Sequence, residues 1–433
     1  MGSDSEPGRR QWRDLLLWAL LALLGIGICL LTLVAHARVG TSSPPFLGEY
    51  AVRLSPATPL AIVVAAAVLL LAHRGVFERV PWRVLLTLSY LGTLAWTVSL
   101  ALRNGLAGIT APLHDRNGPA ADVPGIGDDP YAWLHRFTAE TASHSWHSRG
   151  HPPGPVLLLW STQRIGLTDD VSLGLLLAAG GALAVPLVLT ALRNACGDLT
   201  ARRYLPVLVL APYGLWALHP DVLAATLGAA MIVTGAWATR HRGWPAAIGG
   251  VGSGLLLGTA AMFAYAAAWL GLSVILLYFA RRRPLLNVLT GIGALVPILV
   301  AQALGFNWVE GLVAAELDYA VRVEPYRSAL WWAALSLVAL LLVTGPALIA
   351  SLRKLRNTPA WPFLVGAGAA ILFSVLAGFA RGGIEHSWLA FFPWLTIAAV
   401  APERQGGTPV PTPLLLTASG ALTAVAISVA LVT

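Results

Sequence analysis

The sequence predicts an all-α membrane protein, a polytopic bundle of about thirteen transmembrane helices, and three observations carry that reading. Of 433 residues, 57% are hydrophobic and only 11% charged, whereas soluble domains carry roughly 25% charged residues. Apolar runs near the ~20 residues needed to cross a bilayer recur along the chain. None shows the apolar-polar alternation of a barrel strand, so the spans are helices. The chain reads as a single integral domain over 1–433, with a mean hydropathy of +0.72. Two cysteines, Cys29 and Cys196, suggest neither a disulfide framework nor a metal knot.

The first thirteen residues are polar and basic, with Arg9, Arg10 and Arg13. The apolar run Leu15 to Ala35 that follows is too long for a signal-peptide core, so it reads as a retained first helix. Further spans are expected at 59–72, 84–102, 171–192, 204–218, 221–239, 246–261, 264–280, 285–304, 329–350, 361–379, 388–400 and 413–432. Lys and Arg concentrate in short cytoplasmic loops. With the N-terminus inside, the inner segments hold eighteen of the 28 basic residues, among them Arg74, Arg193, Arg240, Arg282, Arg353 and Lys354. The formal charge of +8 therefore reports topology, not a nucleic-acid partner. A plasma-membrane protein with a cytoplasmic N-terminus follows. The long loops, 37–56, 103–170, 305–328 and 380–388, all fall outside. The 103–170 loop, between helices 3 and 4, is expected to carry short interfacial helices. No internal repeat of the transporter type stands out. Many of the 17 tryptophans lie near span ends, as an aromatic belt requires.

Eight of the ten histidines fall on or beside the outer side: His36, His114, His135, His144, His147, His151, His219 and His386. Ionisable residues gathered at one membrane face point to a site, although each alone is consistent with a wet helix end. The densest stretch is His144-Ser-Trp-His147-Ser-Arg149-Gly-His151-Pro152-Pro153-Gly154. The prolines suit the first turn of a helix, which puts His151 where free N–H groups favour an anion such as phosphate. Arg149 adds a forked donor matched to phosphate oxygens. The structural alternative is a plain helix start capped by His151. Asp128-Asp129-Pro130 reads as the N-cap of a helix from Pro130, and Asp221 as the cap of the next span but two. His144, His147 and His151, at spacings of three and four, can share a helix face and ligate a divalent metal; no metal ligand is assigned. Arg381, Glu385 and His386 are further candidates for the phosphate or acceptor.

Ala121-Asp122-Val-Pro124, Arg149-Gly-His-Pro-Pro-Gly154 and the later Arg381-Gly-Gly-Ile-Glu385-His-Ser-Trp388 resemble motifs of the GT-C superfamily of polyprenyl-phosphate-dependent membrane glycosyltransferases. The likeness is to actinobacterial mannosyltransferase-like members near the protein O-mannosyltransferase and aminoarabinose transferase branch. It implies a GT-C-like bundle and a donor sugar, such as mannose or another hexose or pentose, on a polyprenyl phosphate among membrane lipids. The acceptor would be a lipid, glycan or protein. By that resemblance an outer carboxylate deprotonates the acceptor hydroxyl for inverting attack, and basic groups stabilise the phosphate. Asp122 is the first choice for the base and Asp115 the second, with Arg149, His151, His147, His144, Arg381, Glu385 and His386 on the phosphate or substrate side. The alternative function is a transporter or flippase for a lipid-linked or anionic substrate.

Overall fold

The computed structural model describes residues 5–114 and 118–432. Helices dominate it, and five are long and apolar enough to cross a membrane: Gly8–Val34, Trp82–Asn104, Asp170–Cys196, Val222–Thr239 and Leu286–Ala303. A sixth candidate, Ala329–Thr344 with Ala347–Arg353, bends by 102° at its break. Four shorter apolar helices, Thr58–His73, Tyr265–Ala280, Trp361–Leu376 and Leu414–Ala430, fill out the bundle. The chain is an all-α membrane protein; the figure of thirteen spans is not reached as thirteen full helices.

The helix starts follow from sequence. Pro59, Pro245 and Pro362 each occupy the first turn of a span, where the missing N–H costs nothing. Trp82, Trp244 and Trp361 open their helices at the arginine-rich face. Small residues then set how closely the spans approach. A Cβ at Gly254 would lie 2.0 Å from the Thr290 carbonyl oxygen, and one at Gly293 would lie 2.2 Å from that of Val251. Backbones this close exclude any side chain, the reason small residues spaced by four recur in membrane helix pairs. Thr290 also donates across that interface to the Gly250 carbonyl at 3.0 Å.

Two expected spans are corrected. The 388–400 segment is not a regular helix: single turns at Ile384–Ser387 and Phe392–Leu395 are joined by tight turns. Residues 388 to 400 are nonetheless buried throughout. Irregular backbone at membrane depth is tolerated only where neighbouring protein satisfies its polar groups. Here Tyr204 donates to the Pro393 carbonyl at 2.8 Å, Lys354 donates to the Ala399 carbonyl, and Ser351 accepts from the Ala398 N–H at 3.1 Å. Similarly, the span expected at 204–218 is helical only to Val209, then turns through a short 3-10 segment, Pro212–Trp216. The Ala211 carbonyl released there accepts from the Trp96 indole at 3.2 Å.

The 103–170 loop folds on its own small core. Val123, Ile126, Trp133, Leu134, Phe137, Val156 and Leu159 are buried together, with Phe306 entering from the 305–328 loop. Short helices were expected, and they are present at Pro130–Phe137, Trp146–Gly150 and Gly154–Arg164. Asp129 caps the first of these, accepting from the Ala132 N–H at 3.0 Å, as read from sequence.

Candidate functional site

Five ionisable side chains from three distant stretches meet where the folded loop rests on the span ends. The Trp146–Gly150 helix places His147 inward, and His151 follows directly after it. Their imidazole rings stack at 4.0 Å with 11° between planes. The spacing of four drew attention to this pair in sequence, although His151 stands just past the helix end in extended backbone. Both rings aim Nε2 at one oxygen of Asp221, His147 at 3.1 Å and His151 at 3.3 Å. His219 Nδ1 stands 3.2 Å from the other oxygen. His386 then packs its ring 4.3 Å from that of His219.

The electrostatics of this assembly follow from burial. Asp221 is only 3% exposed, and among the described residues no arginine or lysine pairs with it. Despite desolvation, which raises a buried carboxyl, the surrounding imidazoles hold its pKa well below the usual carboxylate range. Burial brings His147 down to about 3, helped by the neighbouring His151. His386 is likewise held neutral by burial and by His219. His151 moves the other way: burial opposes its charge, but Asp221 and the His147 carbonyl together raise it. Four buried atoms in and beside the assembly lack hydrogen-bond partners: His147 Nδ1, Asp221 Oδ2, His386 Nδ1 and Glu385 Oε2. Buried polar atoms are normally paired, and their concentration here sets this region apart from the packed interior around it.

Asp221 precedes the Val222–Thr239 helix, yet its side chain makes no cap hydrogen bond. The capping role expected for it is therefore corrected: the carboxylate is turned to the histidines. This residue is the one that sequence reading undervalued. The available signal was His219-Pro-Asp221, a titratable pair at a span end on the same side as the loop histidines.

The remaining candidates separate. His144 does not join His147 and His151; it stacks on Phe137 at 4.5 Å and its Nε2 lies 3.0 Å from the Phe137 carbonyl. The three-histidine metal face is thus replaced by a grouping of His147, His151 and Asp221, whose ligating atoms all lie within 4.8 Å of one another. Asp122 serves the loop. Its carboxylate accepts from the Ser145 N–H at 2.9 Å and the Ser145 hydroxyl at 2.6 Å. Ser145 caps the helix that carries His147, so Asp122 positions that helix. Asp115 lies outside the described residues. Arg149 donates to the carbonyls of His144 and Ala142, both at 2.8 Å. Arg381 pairs with Glu324 at 2.6 Å and does not reach the histidines. Glu385 is fully buried, and burial pushes its pKa up to about 7.

The helix start after His151 differs from an open anion cradle. The Gly154 N–H donates to the Met262 carbonyl at 3.0 Å, and Pro155 has no N–H. A Cβ at Gly154 would lie 2.2 Å from that carbonyl oxygen, so glycine is required by contact with the end of the Trp244–Ala261 helix. The Pro-Pro-Gly unit docks the loop on the bundle.

No family model and no curated protein matches the chain. Among solved structures it is similar to that of ArnT from Cupriavidus metallidurans bound to undecaprenyl phosphate. Identity is 17% and the TM-score 0.41, over 63% of this chain and 55% of that one. It is also similar to the oligosaccharyltransferase of Archaeoglobus fulgidus in complex with zinc and sulfate, at 16% identity and a TM-score of 0.41. That match covers 70% of this chain and 48% of the other. The chain spans about half the length of these two solved structures.

Proposed function

We propose that this protein is a membrane glycosyltransferase that moves a sugar from a polyprenyl-phosphate donor to a lipid, glycan or protein acceptor, with inversion. What carries the reading is the convergence of His147, His151 and His219 on Asp221, with His386 packed on His219, beside the loop that holds the Gly150-His-Pro-Pro-Gly154 motif. A desolvated polar cluster at the ends of apolar helices is where a lipid phosphate and a water-borne acceptor can both arrive. The eighteen basic residues at the opposite face support a cytoplasmic N-terminus and an extracytoplasmic site. The donor's prenyl chain would lie along the span ends, its phosphate beside the imidazoles and Arg149. An outer-loop aspartate would serve as general base. Asp122 and Asp115 stay the proposed bases, Asp122 being the one whose carboxylate is tied to Ser145.

Purified protein supplied with radiolabelled polyprenyl-phosphate sugars and a panel of acceptors tests the reading. Transfer by the wild type, reduced in Asp122→Asn or Asp115→Asn and in Asp221→Asn, is the expected result. Undiminished transfer in both loop-aspartate variants would remove the base assignment.

A transporter or flippase is the second reading, and the unwound 388–400 segment is the observation in its favour, since transporters break helices at their binding sites. The freed carbonyls of Pro393 and Ala399 are, however, already taken by Tyr204 and Lys354, which leaves them unavailable to a cargo. Uptake by liposomes in the absence of any transfer would reverse the preference.

A further inference from the structure

We infer that His147 Nε2, His151 Nε2 and a carboxylate oxygen of Asp221 form the binding site for one divalent transition-metal ion of the zinc class. Zinc bonds of about 2.0–2.1 Å in tetrahedral array set ligand atoms roughly 3.3 Å apart. The two imidazole nitrogens stand 3.1 and 3.3 Å from Asp221 Oδ1, and all three ligating atoms lie within 4.8 Å of one another.

His151 Nδ1 is 2.9 Å from the His147 carbonyl, which only accepts, so Nδ1 carries the hydrogen. With that hydrogen in place, Nε2 faces a carboxylate oxygen 3.3 Å away, and either a second proton or a metal ion lies between the two atoms. His219 also faces this carboxylate, its Nδ1 3.2 Å from Oδ2. A backbone carbonyl on the far ring nitrogen is how metal-bound histidines are oriented. A carboxylate desolvated to this degree requires a compensating cation, and among the described residues only imidazoles face it, with no guanidinium or ammonium beside them.

Donor chemistry selects the ion. Two imidazoles and one carboxylate suit zinc-like ions, whereas calcium and magnesium prefer all-oxygen shells. Three protein ligands leave one position for water or an oxyanion, on the side where His151 is 19% exposed. The ion would turn a carboxylate among imidazoles into a centre of net positive charge. That sign suits a phosphate; this last point rests on the proposed transfer function, whereas the presence of the ion does not.

The test is metal content, read without donor or acceptor, so failure of the transfer reading leaves it untouched. The full chain, purified in detergent without chelator, is expected to hold about one zinc-class ion per molecule by mass spectrometry of metals. After chelation it should take up Co2+ with tetrahedral d–d bands. His147→Gln, His151→Gln and Asp221→Asn should each weaken uptake at least ~10-fold, while His241→Gln at the opposite face should not. Native, monodisperse wild type that carries no ion and binds no Co2+ would overturn the site and leave a proton on His151 in its place. Retention of the ion in all three variants would also overturn it, by placing the metal elsewhere. If the variants fail to fold, zinc-edge X-ray absorption on the wild type decides. Imidazole scattering in an N/O shell supports the site, and a sulfur shell from Cys29 or Cys196 rules it out.

Discussion

The two faces of this protein use similar side chains to opposite ends. At the arginine-rich face, Arg353 forms a fork with Asp14, Nε to Oδ1 at 3.0 Å and Nη2 to Oδ2 at 2.9 Å. Arg353 also reaches Glu403, which Arg10 grips at 3.0 Å. Both oxygens of Asp14 meet a guanidinium donor, and the network ties the first helix to the turn before the last one. At the loop face, Asp221 is surrounded only by imidazoles, and four polar atoms in and around that cluster are left unpartnered. Matched forks hold helices together; a carboxylate shared among imidazoles is where we propose that a ligand binds. The difference lies in the partner chosen. Guanidinium is a permanent cation with its own fork of donors, whereas imidazole at neutral pH offers a lone pair as readily as a proton.

Substitutions can sharpen that contrast. The largest effect on activity should come from Asp221→Asn, which is expected to cut transfer by ~100-fold or more with little change in melting temperature. A collapse in stability instead would reclassify the loop-face cluster as structural. Arg353→Ala should show the converse behaviour. Breaking its fork with Asp14, which is 7% exposed, should cost about 2 kcal/mol after allowance for the exposed arginine. Thermal unfolding in detergent would read this, and the surviving folded fraction should transfer normally.

Gly154→Ala probes how the loop is docked. Its Cβ meets the Met262 carbonyl, so the loop must shift; a stability loss of roughly 1–3 kcal/mol is expected, together with displaced His147 and His151. Wild-type stability and activity in this variant would mean that the Pro-Pro-Gly contact does not set the site.

A smaller effect concerns Glu385, whose pKa rises from 4.5 to about 7 on burial. The folded state favours its protonated form. Its contribution is therefore complete below the unfolded value and is lost as pH rises through about 7. Melting temperatures recorded upward across that range should fall for the wild type and flatten for Glu385→Gln. Parallel curves would refute the assignment. Finally, a maleimide that cannot cross membranes should label Glu140→Cys and spare Arg282→Cys if the loop face is extracytoplasmic; the opposite pattern would invert the orientation.

Several features were legible from local sequence because their physics is local. Apolar run length marked the spans, Asp129-Pro130 marked a cap that the structure contains, and the spacing of His147 and His151 marked a pair whose rings stack. Other features needed the fold. At 388–400, composition reads as a helix, but the segment unwinds because Tyr204, Ser351 and Lys354 arrive from elsewhere to satisfy its backbone. Composition cannot report where such partners come from.

The sequence by itself determined that this chain is a helical membrane protein with a histidine-rich stretch between two of its spans. Hydropathy and loop charge are properties of short segments, and they act before any tertiary contact exists. Tertiary structure alone decided which of those residues meet. Asp122, close in sequence to the histidines, is turned to Ser145. Asp221, seventy residues beyond His151, becomes their shared partner. Adjacency along a chain fixes neither the direction of a side chain nor its depth, and both are set by how the spans pack.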